Sequence, residues 1–147
     1  MYTVIVAGTD GSPTATVALV HAVQLAKLSG ATLHVVHAHQ TVAPHQASSM
    51  AGTVDIVNVN EGIRADSARV CSDAIAIAGR DGVDVVAHST GGDPSDALIA
   101  VAKEVDADVI VIGNRGMTGA RRLLGSVPNK VSHHCPCSLL IVDTSRG

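Results

Sequence analysis

Five short apolar runs recur along the chain, and a segment with helical periodicity separates each run from the next. The runs occupy residues 3–7, 32–38, 83–87, 109–112 and 138–142. Between them, apolar residues return at intervals of three and four, which is the pattern of a helix that buries one face. Strands that alternate with helices are typical of a parallel sheet covered by helices. The pattern therefore predicts an α/β chain with the order βαβαβαβαβ.

Right-handed crossovers between parallel strands restrict the topology of such a chain. We predict one doubly wound, Rossmann-like sheet of five parallel strands in the order 3-2-1-4-5, with helices on both faces. The 147 residues fit one domain over residues 1–147, because a chain of this length buries roughly two thirds of its unfolded surface. Val, Ile, Leu and Ala must fill the core, since Phe and Trp are absent and Tyr2 is the only aromatic residue.

Capping residues mark where the helices begin and end. Ser12 before Pro13 and Asp93 before Pro94 predict two helix starts, and Gly30 predicts the end of the first helix. The second helix is predicted over residues 61–78, and the fourth over residues 127–134 with Ser126 as its cap. The residues predicted on the buried face of the second helix are Ala68, Cys71, Ile75 and Ala78.

Charge and composition exclude several classes of partner. A formal net charge of −3 argues against a nucleic-acid partner, which normally requires a basic face. The interior also lacks aromatic rings on which bases could stack. No apolar run approaches the eighteen or so residues of a membrane span, and the first residues lack the basic stretch of a signal peptide. Three cysteines, an odd number, fit a reducing compartment, so we expect a cytoplasmic protein without a membrane partner.

The candidate site lies where the strand order reverses. In a doubly wound sheet, ligands bind outside the carboxyl ends of the strands at that point, here between the first and fourth strands. The loops that meet there are 8–12 and the glycine-rich 113–127. Glycines before a helix start let backbone N–H groups converge on an anion, although they also suit a plain tight connection. We expect Asp10 to face this loop across one crevice, with Ala38 on its far wall.

Three segments together resemble the universal stress protein family. They are Gly8-Thr9-Asp10-Gly11-Ser12, Leu33-His34-Val35-Val36-His37-Ala38, and Gly113-Asn114-Arg115-Gly116 followed by Gly125-Ser126. The segment 125–134 and the last strand are similar to the family's actinobacterial members, and the resemblance spans essentially the whole chain. It implies a small cytoplasmic protein, usually a homodimer, here through strand 138–142. The family's ATP-binding members carry G-x2-G-x9-G-[ST], and some relatives bind cyclic AMP.

The resemblance also implies the nucleotide contacts. The residues at the adenosine end would be Gly8, Thr9 and Asp10. Asp10 would bind the ribose hydroxyls, and the backbone of Ala38 would contact the adenine. Ile112 and Gly113 would lie under the ribose and first phosphate. The phosphates would be held by Gly116, Gly125, Ser126 and Val127. Eight residues separate Gly116 from Gly125, one fewer than in the motif. The sequence therefore does not decide whether the protein binds ATP, cyclic AMP or no nucleotide.

The implied function is a stress-response regulator that binds an adenine nucleotide and is not an enzyme. The chain lacks the Walker lysine loop, a G-x-G-x-x-G after the first strand and a G-x-S-x-G elbow. Two alternatives remain, a dimeric scaffold that binds no nucleotide and a slow ATP hydrolase. Magnesium could accompany ATP, but no metal is expected on the protein's own ligands.

Other groups of polar residues have two interpretations each. His133-His134-Cys135-Pro136-Cys137 looks like a metal or redox site, but structural zinc needs four ligands, so packing is favoured. Several histidines lie near the second strand, with His37 and His39 on one face. They could form a weak metal site or a pH-sensitive edge, but solvated side chains are the favoured interpretation. Arg115 is the best placed of three arginines to meet a phosphate. The remaining residues of these groups are His34, His45, Arg121 and Arg122.

Overall fold

The computed structural model describes residues 1–43, 55–114 and 125–145 of the chain. Within these ranges, strands and helices alternate as the sequence predicts. The elements are β1 Val4–Gly8, α1 Pro13–Ser29, β2 Thr32–His39, α2 Ile56–Gly79, β3 Val85–Gly91, α3 Pro94–Glu104, β4 Val109–Gly113, α4 Ser126–His134 and β5 Ser138–Val142.

The strands form one parallel sheet in the order β3-β2-β1-β4-β5, which confirms the predicted topology. Ile5 at the centre of β1 lies opposite Leu33 of β2 and Val109 of β4. The chain passes from β1 through β2 to β3 on one side of the sheet and then returns to β4 on the other side of β1. The loops after β1 and β4 therefore lead to helices on opposite faces. A crevice forms between these two loops.

Helices cover both faces of the sheet with aliphatic side chains. On one face, residues such as Ile5 and Leu33 pack against α1 and α2. On the other, Val6 and Ile110 pack against α3 and α4, where Val131 is fully buried. The core therefore consists of the small and branched residues that the composition predicts, and alternate residues of each strand point into the two layers.

Side-chain caps fix the starts of α1 and α3. The Oγ of Ser12 accepts a hydrogen bond from the backbone N–H of Ala15 at 3.2 Å, and Gly30 ends α1 in the left-handed region with φ of 68°. Asp93 accepts from the first N–H groups of α3. The predicted cap at Ser126 is wrong. Gly125 holds the N-cap position without a side-chain bond, and Ser126 already has helical backbone.

Helix α2 and strand β3 depart from their predicted limits. Helix α2 begins at Ile56 rather than at residue 61, because Asp55 caps it with bonds to the N–H groups of residues 57 and 58. Cys71 and Ala78 are buried as predicted, but Ala68 and Ile75 are exposed, and their neighbours Ser67 and Ala74 are buried instead. The reason is Ser67, which is 1% exposed and whose hydroxyl pairs with the Oγ of Ser89 at 2.7 Å.

Strand β3 runs over Val85–Gly91 instead of residues 83–87. Its second half contains His88, Ser89 and Thr90, which the apolar pattern did not predict as strand. Backbone pairing with β2 continues as far as His39 opposite Gly91, and it holds these polar residues in the sheet. Most of the long connection between β2 and α2, residues 44–54, lies outside the described ranges.

Candidate functional site

A cavity of about 420 Å³ opens at the carboxyl ends of β1 and β4. The predicted residues that line it are Gly8, Thr9, Asp10, Ala38, Ile112, Gly113, Gly125, Ser126 and Val127. Arg115 and Gly116 lie outside the described residues, as do Arg121 and Arg122. The described residues of the predicted site thus all lie around one cavity, and their contacts with a nucleotide stay a prediction.

Further lining residues were missed by the sequence analysis. They are Thr14, Ala15, Val36, Pro94, Leu98, Pro128 and Thr144. Those on the helices belong to the first turns of α1, α3 and α4, with Leu98 in the second turn of α3. A parallel sheet places these helix starts at the same edge as the strand ends. The predicted helix starts were a usable signal for them. No comparable signal in the sequence pointed to Thr144, which follows β5.

Three helix starts face the cavity, since residues of the first turns of α1, α3 and α4 line it. The first backbone N–H groups of a helix have no partner within the helix and carry a partial positive charge. At α1 and α3 the side chains of Ser12 and Asp93 already accept from these groups, whereas α4 begins without a side-chain cap. Of the three helix starts, that of α4 therefore offers uncapped N–H groups to an anion without any lysine or arginine. Among the described lining residues, Asp10 is the sole charged side chain.

The loop that carries Asp10 is held against β2. The backbone N–H of Thr9 donates to the carbonyl of Val36 at 3.0 Å, and the carbonyl of Thr9 lies 2.9 Å from the Nδ1 of His37. Because a carbonyl only accepts, Nδ1 of His37 carries the proton of this bond. Asp10 is exposed, and its Oδ1 accepts from the N–H of Ser12 at 3.0 Å. The carboxylate is thus oriented by the loop while remaining accessible to a ligand.

Two glycines keep the floor of the cavity open. A Cβ on Gly8 would lie 3.1 Å from the Cδ1 of Leu98, and one on Gly113 would lie 3.0 Å from the Cγ2 of Thr144. Both distances are tighter than ordinary van der Waals contact. Side chains at these two positions would displace cavity-lining neighbours, so glycine preserves the cavity's shape.

A buried amide fixes Thr144 beside Gly113. The Oδ1 of Asn114 accepts from the backbone N–H and the hydroxyl of Thr144 at 2.9 and 2.8 Å. Its Nδ2 donates to Asp143 at 3.1 Å, and its backbone N–H donates to the carbonyl of Val142 at 3.0 Å. Asn114 and Thr144 are 7% and 8% exposed. This cluster joins the end of β5 to the start of the glycine-rich loop.

Lys130 connects α4 to the start of α3. Its Nζ lies 2.8 Å from the Oδ1 of Asp96 and 3.3 Å from the Oδ1 of Asp93. The backbone N–H of Asp96, assisted by Lys130, lowers the pKa of Asp93 below its ordinary value. These charges are exposed, so the pairs contribute little stability, but they align the starts of the two helices.

The histidines divide between the two faces of the sheet. The Nδ1 of His34 lies 2.9 Å from the Nε2 of His88, and burial followed by the neighbouring His88 lowers the pKa of His34. His37 and His39 share the other face, where the Nδ1 of His39 lies 3.4 Å from the Oγ of Ser67. His45 lies outside the described residues. In the described ranges, no group of three or more His, Cys, Asp or Glu residues could hold a metal ion.

Comparison with known proteins now identifies the family. The model of the universal stress protein family matches residues 1–143 of the chain. The chain belongs to the universal stress protein family. A universal stress protein of Mycobacterium tuberculosis is 34% identical over 146 residues, covering 98% of this chain and 98% of the relative. The resemblance inferred from the sequence is thereby confirmed.

Solved structures of universal stress proteins share the fold. One, in complex with cAMP, has a TM-score of 0.76 and 32% identity, covering 98% of this chain and 99% of the other. A second, from Archaeoglobus fulgidus in complex with dAMP, has a TM-score of 0.73 and 26% identity, covering 97% and 98% of the two chains. Adenine nucleotides are thus bound by structural neighbours of this protein. None of the helices described here is both long and apolar enough to cross a membrane.

Proposed function

We propose that the protein binds an adenine nucleotide in this cavity and acts in stress responses through the occupancy of the site. One observation carries the proposal: Asp10 lies at the same cavity as the start of α4, which has no side-chain cap. A carboxylate suits ribose hydroxyls, and helix starts suit phosphate. The cAMP and dAMP complexes of related universal stress proteins support the same ligand class.

In the proposed complex, Asp10 accepts hydrogen bonds from the ribose hydroxyls, with Gly8 and Thr9 beside it. The backbone of Ala38 contacts the adenine, and aliphatic side chains of the described lining, such as Val36 and Ile112, provide apolar surface for the base. Ile112 and Gly113 lie under the ribose and the first phosphate. The remaining phosphate contacts come from Gly125, Ser126 and Val127, together with Arg115 and Gly116 outside the described ranges.

ATP and cyclic AMP are the two candidate nucleotides. Without a cation among the described lining residues, the phosphates rely on backbone N–H groups, helix starts and Arg115. Cyclic AMP carries one negative charge on a single phosphate, so it requires fewer of these donor groups than ATP does. ATP would bring Mg²⁺ on its own phosphates and on water. We propose binding without rapid turnover, because Asp10 is the one titratable side chain in the described lining.

The test is calorimetric titration of the wild-type protein and two aspartate variants with cyclic AMP and with ATP. Asp10→Ala should weaken binding at least tenfold, because hydrogen bonds to a charged acceptor contribute about 1.5–3 kcal/mol. Asp84→Ala removes the same charge from an exposed position at the opposite end of the sheet, and it should bind normally. Equal affinity in the two variants would refute the role of Asp10, and no heat with either nucleotide would favour a scaffold.

We further propose a homodimer that forms through β5. This strand is an edge of the sheet, and an open edge favours pairing with a second chain. Leu140 on β5 is 41% exposed, and Val86 on the opposite edge strand is 44% exposed. Light scattering should show that Leu140→Lys favours the monomer while Val86→Lys leaves the dimer intact. A dimer that survives Leu140→Lys but not Val86→Lys would place the interface at β3. A cytoplasmic location stays a prediction.

A further inference from the structure

Two cysteines meet at the end of the sheet opposite the cavity. Cys135 and Cys137 lie between the end of α4 at His134 and the start of β5 at Ser138. Both thiols are free and half-buried at the edge of the core layer under α3 and α4. Their sulfurs are 3.9 Å apart. The chain turn around Pro136 thus points both side chains at one place.

The distance between the two sulfurs suits a shared ion. A disulfide would require about 2.05 Å, so the thiols are separate. Two metal–thiolate bonds of about 2.3 Å that span 3.9 Å meet at an angle of about 115°. That angle lies between the trigonal and the tetrahedral values and fits either geometry. The two sulfurs can therefore fill two positions of an ion, and the remaining positions fall to external ligands.

The number of available ligands restricts the kind of metal. Structural zinc requires four protein ligands, and the described residues contain no group of three or more donors that could hold a metal ion. Thiolates are soft ligands that select Cu(I), an ion that accepts two or three of them. Ser138 offers the sulfurs only its carbonyl oxygen, at 3.7 and 3.6 Å, and such an oxygen is a poor ligand for a soft ion.

We propose that Cys135 and Cys137 form a binding site for Cu(I), with the third position open to an external thiolate. Binding releases two protons, one from each thiol, and forms two Cu–S bonds without a change in oxidation state. An open third position lets a small thiol carry the ion in or out. The site is independent of the nucleotide cavity, because the two lie at opposite ends of the sheet.

Anaerobic competition against a chromophoric Cu(I) chelator tests the site in the reduced, full-length protein. The wild-type protein should remove one Cu(I) per chain from the chelator. Cys135→Ser and Cys137→Ser should each abolish that withdrawal, and Cys71→Ser should retain it, since Cys71 is a buried thiol on α2. The proposal would be overturned if both Cys135→Ser and Cys137→Ser still removed Cu(I) from the chelator, or if the wild-type protein removed none.

X-ray absorption of the wild-type protein loaded with Cu(I) provides a second test that does not depend on whether the variants fold. The first shell should contain two or three sulfurs at about 2.3 Å. A first shell dominated by nitrogen would instead assign the ion to histidines such as His133 and His134, and it would overturn the thiolate site.

Discussion

Replacing Asn114 with alanine removes the buried amide that joins the ends of β4 and β5. Its Oδ1 is the acceptor for both the N–H and the hydroxyl of Thr144, at 2.9 and 2.8 Å. Its Nδ2 also donates to the carboxylate of Asp143 at 3.1 Å. Alanine supplies none of these groups, and at 8% exposure Thr144 is largely shielded from water.

The expected loss follows from the donors that remain. A buried donor without an acceptor costs about 1–3 kcal/mol. The backbone N–H of Thr144 cannot turn to another partner, whereas its hydroxyl can rotate. Together with the lost bond to Asp143, we expect Asn114→Ala to lower the free energy of unfolding by about 2–3 kcal/mol. That loss corresponds to a decrease in Tm of about 5–10 °C for a chain of this size.

Urea denaturation of Asn114→Ala and of a matched control measures this effect. Asn129→Ala is the control, because Asn129 is exposed on α4, and its free energy of unfolding should stay within about 0.5 kcal/mol of the wild-type value. Thr144→Val removes only the hydroxyl and should cost about 1 kcal/mol. If Asn114→Ala were as stable as Asn129→Ala, the polar groups of Thr144 would have other partners and the reasoning would be refuted.

Two further predictions concern the loop after β1 and the start of the sheet. Gly11 has φ of 76° and leaves only 2.8 Å between an added Cβ and Val70, so Gly11→Ala should lower the free energy of unfolding by about 1–2 kcal/mol. Gly62 lies in α2, where an added Cβ would meet open space, so Gly62→Ala should raise the free energy of unfolding by up to about 1 kcal/mol. If thermal unfolding showed Gly11→Ala to be more stable than Gly62→Ala, both expectations would be wrong. Asp108 accepts backbone N–H bonds, chiefly from Thr3, which lower its pKa below the ordinary 3.8. Asp108→Ala should therefore lower Tm at neutral pH, and the difference should shrink as the pH falls through that lowered pKa; a difference that does not depend on pH would refute the linkage.

Much of the fold follows from local patterns in the sequence. The alternation of apolar runs predicted the order of strands and helices along the chain, the limits of β5 were those predicted, and Ser12 and Asp93 marked two helix starts. Most of the cavity lining followed as well, because parallel strands bring their carboxyl ends to one edge. These features depend on neighbours in sequence or on rules common to all doubly wound sheets.

The errors concern contacts between residues far apart in the chain. The buried face of α2 depends on Ser67, whose hydroxyl finds its partner Ser89 on β3, so an apolar pattern alone misplaced it. The second half of β3 is polar and is held by its pairing with β2. Thr144 is held in the cavity lining by its hydrogen bond to Asn114, thirty residues away in the chain. Such pairings become visible only when the sheet is assembled.

The most direct test of the central proposal identifies the small molecule that the gently purified protein carries. Mass spectrometry after denaturation should find an adenine nucleotide, either ATP or cyclic AMP, at close to one per chain. A molecule of another class at that stoichiometry would contradict the account. An empty protein that also gives no heat on titration with either nucleotide would contradict it equally.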